Sequence, residues 1–261
     1  MTFLDSIILG VVEGITEFLP ISSTAHLIIT SKVLALEPTV FLKSFEIAIQ
    51  LGAICAVVFL YAKKIISSKN LWKKVIVAFI PTAIIGFVLY SFIKNIAFEN
   101  ITLIGYMLFI GGILMLLFEF LYARKKPHIS IEDDLDREIS YTKAFIIGLA
   151  QSLAVIPGVS RAAATIIGGL MLGISRKGIV EFSFLLAVPT MAAATGLDLI
   201  KTDVSVWTNS NLVTLLIGFL VSFATAYIVV KWLIKFVQNH NFNIFGWYRI
   251  ALALIFMFLV I

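Results

Sequence analysis

The amino-acid sequence predicts an all-α polytopic membrane protein built as two inverted repeats, each a re-entrant helix hairpin followed by three transmembrane helices. Three observations carry that prediction: six apolar runs of spanning length, two polar turns set between apolar arms too short to span, and basic residues gathered on one face. Of the 261 residues, 61% are hydrophobic and 13% charged, and the mean hydropathy is +1.06. Soluble domains run near half apolar and about a quarter charged. The apolar runs are continuous rather than alternating, so helices and not a barrel satisfy the backbone in lipid.

Taken in order, the chain opens with MTFLDSIILG, which has no basic n-region and no small-residue cleavage site and reads as mature protein. Arms Thr2–Phe18 and Ala25–Leu34, joined by LPISST, form the first hairpin. Spans Phe45–Tyr61, Val75–Ile93 and Thr102–Tyr122 follow. The second hairpin has arms Tyr141–Ile156 and Ala162–Leu172, joined by PGVSR. Spans Ile179–Ile200, Leu212–Lys231 and Phe245–Ile261 complete the chain. A bilayer needs roughly 20 helical residues, which neither arm of a hairpin supplies, and short Pro/Gly-interrupted segments in both halves point to hairpins meeting near the midplane. An offset of 138 residues lays ILG (8–10) on IIG (146–148), Glu13 on Gln151, Ser22 on Ser160 and Ser23 on Arg161. Residues 1–123 are thus read as the first repeat, 124–140 as a charged cytoplasmic linker and 141–261 as the second repeat.

The net charge of +5 sits in short clusters: Lys63, Lys64, Lys69, Lys73 and Lys74; Arg124, Lys125 and Lys126; Arg176 and Lys177; Lys231 and Lys235. With three spans after each hairpin, all fall on one face, and the other keeps only Lys32, Lys43, Lys94 and Lys201. The positive-inside rule makes the basic face cytoplasmic, so both hairpins' site opens outward. Such clusters suit anionic headgroups and argue against nucleic acid. The single cysteine, Cys55, excludes an internal disulfide and reads as a buried filler.

The polar turns carry the chemistry. Glu13 and Glu17 stand one helical turn apart on one face, with Pro20 ending the helix beyond them. An ionised group at bilayer depth costs roughly 2.5 kcal/mol or more, so the pair needs a cation, a wet cavity or a shared proton. It suits a divalent ion held by oxygen ligands, or a general base. Ser22, Ser23 and Thr24 lie at a helix start, where hydroxyls cap and free N–H groups face an anion. His26, three residues beyond Ser23, is placed to reach that hydroxyl. Arg161, beside Ser160, either grips phosphate with two prongs or pairs with Glu13 or Glu17, and the two roles are compatible. Glu46 with Gln50, and Glu181 with Ser183, either line the cavity or join helices. Asp198 and Arg249 read as an interface cap and a structural pair. His128 and His240 have no metal-ligand spacing, and no Walker, HExxH, GxSxG or paired CxxC pattern is present. Residue chemistry alone reaches a lipid phosphate or diphosphate site and not which lipid, and a phosphatase and a transporter or flippase of such a lipid would need a similar grip. A non-catalytic lipid-binding protein is the remaining class.

EGITEFLPISSTAHL (13–27) closely resembles the first signature of the bacterial undecaprenyl-diphosphate phosphatase, or bacitracin-resistance, family, usually EGxTEFLPxSSTGHL. PGVSRAAATI (157–166) resembles the second, usually PGxSRSGATI, and FEIAIQLGAI and EFSFLLAVPTMAAATGLDL resemble further blocks. The resemblance implies hydrolysis of undecaprenyl diphosphate to the monophosphate on the outer face of the bacterial cytoplasmic membrane. That reaction recycles the carrier for cell-wall synthesis and confers bacitracin resistance. It also implies dependence on a divalent metal and functional roles for Glu13, Glu17, Ser23, His26 and Arg161; we expect Mg or Ca held by Glu13 and Glu17, catalysis by Glu13, Glu17, Ser23 and His26, and a clamp in Arg161 with Ser22, Thr24 and Ser160 binding substrate beside it. The expected mechanism is attack by Ser23, deprotonated by His26 or Glu17, or by a water that these residues activate. Partners are the polyprenyl diphosphate and the membrane, with a homodimer left open. Ala25 stands where glycine is usual and Ala162–Ala163 where Ser-Gly is usual, both where backbone approaches phosphate.

Overall fold

The computed structural model describes residues 1–89, 100–124 and 135–260, the side chains of 259 and 260 excepted. All regular structure among them is helical: α1 (Phe3–Thr16), α2 (Ser23–Val33), α3 (Val40–Ser67), α4 (Lys69–Val88), α5 (Ile101–Arg124), α6 (Leu135–Glu138), α7 (Tyr141–Ser152), α8 (Arg161–Met171), α9 (Arg176–Lys201), α10 (Asn209–Asn239) and α11 (Asn243–Val260). A single 3₁₀ turn, Leu153–Val155, prolongs α7, and another lies at Val204–Val206. Five helices, α3, α4, α5, α9 and α10, are long and apolar enough to cross a membrane. The sixth expected span is α11, shorter at 18 residues, or about 27 Å of helix. Residues 90–93 of the second expected span lie outside the described residues, as do Lys94, Lys125, Lys126, His128 and 125–134 of the expected linker.

Local sequence explains most helix starts. Thr2 and Asp5 cap α1 reciprocally, at 2.6 and 3.2 Å. Thr39, Ser140, Ser175 and Thr208 accept from the first turns of α3, α7, α9 and α10, each cap worth about 1 kcal/mol. The 14 residues of α1 and 11 of α2 give about 21 and 17 Å, short of the roughly 30 Å hydrocarbon core. The expected hairpin arms are therefore present and too short to span.

Packing follows a repeating scheme. In each half, two short helices around a polar turn precede three longer ones. The first arm α1 lies on α10, and its counterpart α7 lies on α4; α3 packs on α10, and α9 on α4; α3 meets α9, and α5 meets α11. Exchanging α1–α5 with α7–α11 leaves this pairing unchanged. Small residues bring α1 onto α10: a Cβ at Gly10 would stand 2.7 Å from Gly218 O, and one at Gly14 2.7 Å from Ser222 O, the close approach that small-xxx-small stripes allow between helices in lipid.

Ion pairs Lys64–Glu181 (2.6 Å), Lys74–Asp136 (2.7 Å) and Arg176–Glu119 (2.5 Å) gather the C-terminal ends of α3 and α5 with the N-terminal ends of α4 and α9. Glu119 also accepts from Phe242 N at 3.0 Å, tying in the approach to α11. Cys55 is exposed rather than buried: α3 turns Gly52, Ala53, Ala56 and Val57 inward, which leaves position 55 on the outward face.

Candidate active site

The two polar turns meet inside the bundle. The helix α1 stops at Thr16, and Glu17 is its C-cap, bonded through its N–H to Glu13 O. After the turn through Pro20, Ser22 takes φ 72°, and α2 begins at Ser23. The second turn passes through Gly158, whose φ of +93° only glycine adopts without strain. Ser160 then takes φ 69°, and α8 begins at Arg161. Two serines in a sparsely populated backbone region, each costing about 1–3 kcal/mol, occupy equivalent places 138 residues apart. Each turn delivers its first helical side chain, Ser23 or Arg161, into the same buried space.

Glu17 joins them. Ser23 Oγ donates to Glu17 Oε2 at 2.6 Å, and Arg161 Nη2 donates to Glu17 Oε1 at 2.8 Å. Both members of the ion pair are buried, with side-chain exposures of 7% and 3%, so removing either strands a charge, at a cost of about 3–5 kcal/mol. Arg161 Nη1 donates to Ser183 O at 2.7 Å, and the guanidinium lies 5.8 Å from the Phe18 ring centroid. Its Nε, though buried, has no protein acceptor, leaving one donor for an incoming anion.

Glu13 lies one turn earlier, fully buried, and neither carboxylate oxygen has a hydrogen-bond partner. A carboxylate so placed demands a proton or a cation. Its oxygens, with those of Glu17, suit a hard divalent ion whose other ligands come from water or phosphate. No group of three or more His, Cys, Asp and Glu side chains forms a closed metal cage among the described residues.

His26 departs from expectation. Its Nδ1 lies 2.8 Å from Ser22 O and its Nε2 2.8 Å from Tyr248 Oη. A carbonyl only accepts, so Nδ1 carries the proton and Nε2 accepts from the tyrosine. The carbonyl four residues back holds the imidazole away from the Ser23 hydroxyl, which goes to Glu17 instead. Ser22 is corrected too: it occupies the N-cap position, but its side chain makes no capping bond. Ser160 does cap, accepting from Ala163 N at 3.2 Å. Thr24 is half-buried at the head of α2.

Other singled-out residues serve the scaffold. Glu46 accepts from Ser31 Oγ at 2.7 Å and joins α3 to α2, Glu181 pairs with Lys64, and Thr202 Oγ1 donates to Asp198 O at 2.9 Å at the end of α9. Arg249, expected in a structural pair, donates to backbone carbonyls instead. Ala25 packs its methyl with Ile104, Leu108, Ala253 and Phe256, and Ala162 and Ala163 join the main core. The departures from the usual motif thus fill hydrophobic space. Tyr248 and the Ser183 carbonyl were not anticipated as site groups. A backbone acceptor leaves no mark in sequence, and Tyr248 stands in a helix where aromatic residues are common.

The family model described as "Bacitracin resistance protein BacA" matches residues 6–255. The chain is 51% identical over 256 residues to the undecaprenyl-diphosphatase of Aquifex aeolicus, covering 98% of each chain. It is 52% identical over 261 residues to that of Persephonella marina, covering all of both. Against the protein of the same name from Campylobacter fetus subsp. fetus it is 47% identical over 264 residues, again covering all of both.

Proposed function

The chain belongs to the bacitracin resistance protein BacA family, and from that premise we propose that it hydrolyses undecaprenyl diphosphate to undecaprenyl phosphate and inorganic phosphate, with Ser23 as nucleophile and Glu17 as its base. The activity rests on the relatives' shared name. One observation carries the residue roles: Glu17 gives one oxygen to the Ser23 hydroxyl and the other to Arg161.

The arginine holds Glu17 in place, and Glu17 Oε2 takes the serine proton as Oγ bonds to the terminal phosphorus. The bond from that phosphorus to the bridging oxygen breaks, and undecaprenyl phosphate leaves with that oxygen. Arg161 stabilises charge gathering on the transferred phosphoryl oxygens. Water then attacks the phosphoserine. Glu17 returns its proton to Ser23 Oγ as the O–P bond breaks, and both water protons leave with the phosphate. His26, held by Ser22 and Tyr248, orients the turn and takes no proton from Ser23. Glu13 and Glu17 would hold a divalent ion, Mg or Ca. When bound, the ion supplies charge stabilisation for the diphosphate oxygens.

The protein is an integral membrane protein, consistent with its five long apolar helices. We place its site toward the outer face of the bacterial cytoplasmic membrane and read residues 1–123 and 141–261 as inverted repeats joined by the 124–140 linker. The basic end of the bundle, the exchangeable packing and the paired serine turns support that reading. The same packing favours a second reading, transport of a polyprenyl phosphate, because inverted repeats with midplane hairpins are a transporter architecture.

Phosphate release from undecaprenyl diphosphate by the purified protein, with and without divalent metal, tests the proposal beside Arg161→Ala. Metal-dependent release abolished by the substitution is expected. Absence of release from well-folded protein would overturn hydrolysis and leave transport. Retention of a phosphorylated residue at position 23 in a rapid quench, absent from Ser23→Ala, is the outcome expected of serine rather than water as nucleophile.

A further inference from the structure

Arg249 is fully buried in α11 and, among the described residues, has no carboxylate partner. A guanidinium has five N–H donors, and all five meet backbone carbonyls. Nε donates to Leu108 O at 3.4 Å. Nη1 donates to Pro20 O at 3.3 Å and Val159 O at 3.1 Å. Nη2 donates to Met107 O at 3.1 Å and Gly158 O at 2.9 Å. These acceptors fall into three groups: the turn before Ser23, the turn before Arg161, and two successive carbonyls of α5. One planar group therefore touches both turns at once and anchors them to a spanning helix.

We propose that Arg249 is a positioning residue, which fixes the separation of the two hairpin turns and so keeps Ser23 and Arg161 in register across Glu17. The inference rests on the hydrolytic reading of that site. A buried charge is costly in a membrane, and its retention needs a task that a neutral side chain cannot perform. Glutamine has two donors and lysine three; only arginine offers five in a rigid plane. The α5 backbone is shaped to admit it: a Cβ on Gly111 would stand 2.8 Å from Arg249 Cζ and closer still to Nη2.

Two substitutions break the brace differently. Arg249→Lys keeps the charge and loses the fork. Gly111→Ala keeps the arginine and displaces it, while adding a better helix former to α5. Each is compared with the parent as monodisperse protein by two readouts. The first is steady-state phosphate release, where both variants are expected to lose about 10- to 100-fold in kcat with KM changing far less, the cost of misplacing reacting groups by about 1 Å. The second is the distance between spin labels at Val33→Cys and Met171→Cys, both exposed, at the far ends of α2 and α8, in a Cys55→Ser background. The parent's narrow distribution is expected to broaden in both variants. Unchanged kcat in the variants, or reduced kcat with an unchanged distance distribution, overturns the proposal. A parent that releases no phosphate removes the hydrolytic reading, and the label distances then still decide whether Arg249 registers the turns.

Discussion

The two hairpins share a backbone and divide the chemistry between them. Ser22 and Ser160 hold nearly the same dihedrals, with φ of 72° and 69° and ψ of 92° and 114°, and each launches a helix whose first residue faces the site. Beyond that the pair diverges. The first hairpin presents Glu13, Glu17, Ser23 and His26; at the position matching Glu13 the second has Gln151, and at that matching Ser23 it has Arg161. Gln151 is held through its Nε2, which donates to Thr82 Oγ1 at 2.9 Å and Thr190 Oγ1 at 3.2 Å while its Oε1 is buried without a partner, whereas neither oxygen of the Glu13 carboxylate has a partner. One turn geometry thus carries two chemistries, a serine beside a carboxylate on one side and a guanidinium on the other. Where the first arm carries a carboxylate with no hydrogen-bond partner, the second carries an amide tied to two threonines.

The largest effect is expected where the hairpins touch. Glu17→Gln removes the base and leaves Arg161 unpaired, so phosphate release should fall about 10²- to 10⁴-fold, with stability falling by about 3–5 kcal/mol. Turnover within tenfold of the parent would show that the hydroxyl needs no carboxylate. Next come the substitutions that make the hairpins alike. Glu13→Gln should cut metal-stimulated turnover by about tenfold or more, yet raise the thermal midpoint, since the buried carboxylate has no protein partner. Gln151→Glu should gain no activity and lose about 2.5 kcal/mol or more in stability; a gain in activity would mean that both hairpins are equally capable. A smaller change is expected of Tyr248→Phe, which removes the Nε2 partner of His26, worth about 1 kcal/mol. A several-fold loss in kcat, without loss of the fold, would confirm that imidazole orientation matters.

The smallest effect lies far from the turns, in the contact between Lys74 of the first half and Asp136 of the linker. Partial burial raises the Asp136 carboxyl, but hydrogen bonds from Lys74 and Asn70 outweigh it and hold the carboxyl below its ordinary value of 3.8. A depressed folded-state value stabilises above the unfolded value and loses that contribution as pH falls through the folded one. Asp136→Asn should therefore cost up to about 1 kcal/mol at neutral pH, and the gap to the parent should close below about pH 4. Thermal unfolding across that range measures it, with kcat at neutral pH unchanged.

Much of this was legible in the sequence because a membrane penalises polarity so heavily. Glu17, Ser23 and Arg161 stood out as polar residues in apolar surroundings, and Pro20 and Pro157–Gly158 marked the turns between arms too short to span. Where the sequence reading failed, the deciding force was local. The carbonyl four residues back captured His26. Cys55 turned outward because glycine, alanine and valine on the same helix took the inward face. Arg249 was visible as an ionisable residue in an apolar helix, but its acceptors are peptide carbonyls, which every residue carries and no pattern betrays.

Arg249 and Tyr248 also set a schedule. Both turns precede residue 161 in the chain, whereas the groups bonded to them, Tyr248 and Arg249, reside on α11 and are translated later. A nascent chain that holds both turns but not yet α11 lacks the Arg249 contacts to their carbonyls and the His26–Tyr248 bond. On the reading that Arg249 registers the turns, the site is not complete until α11 has joined the bundle.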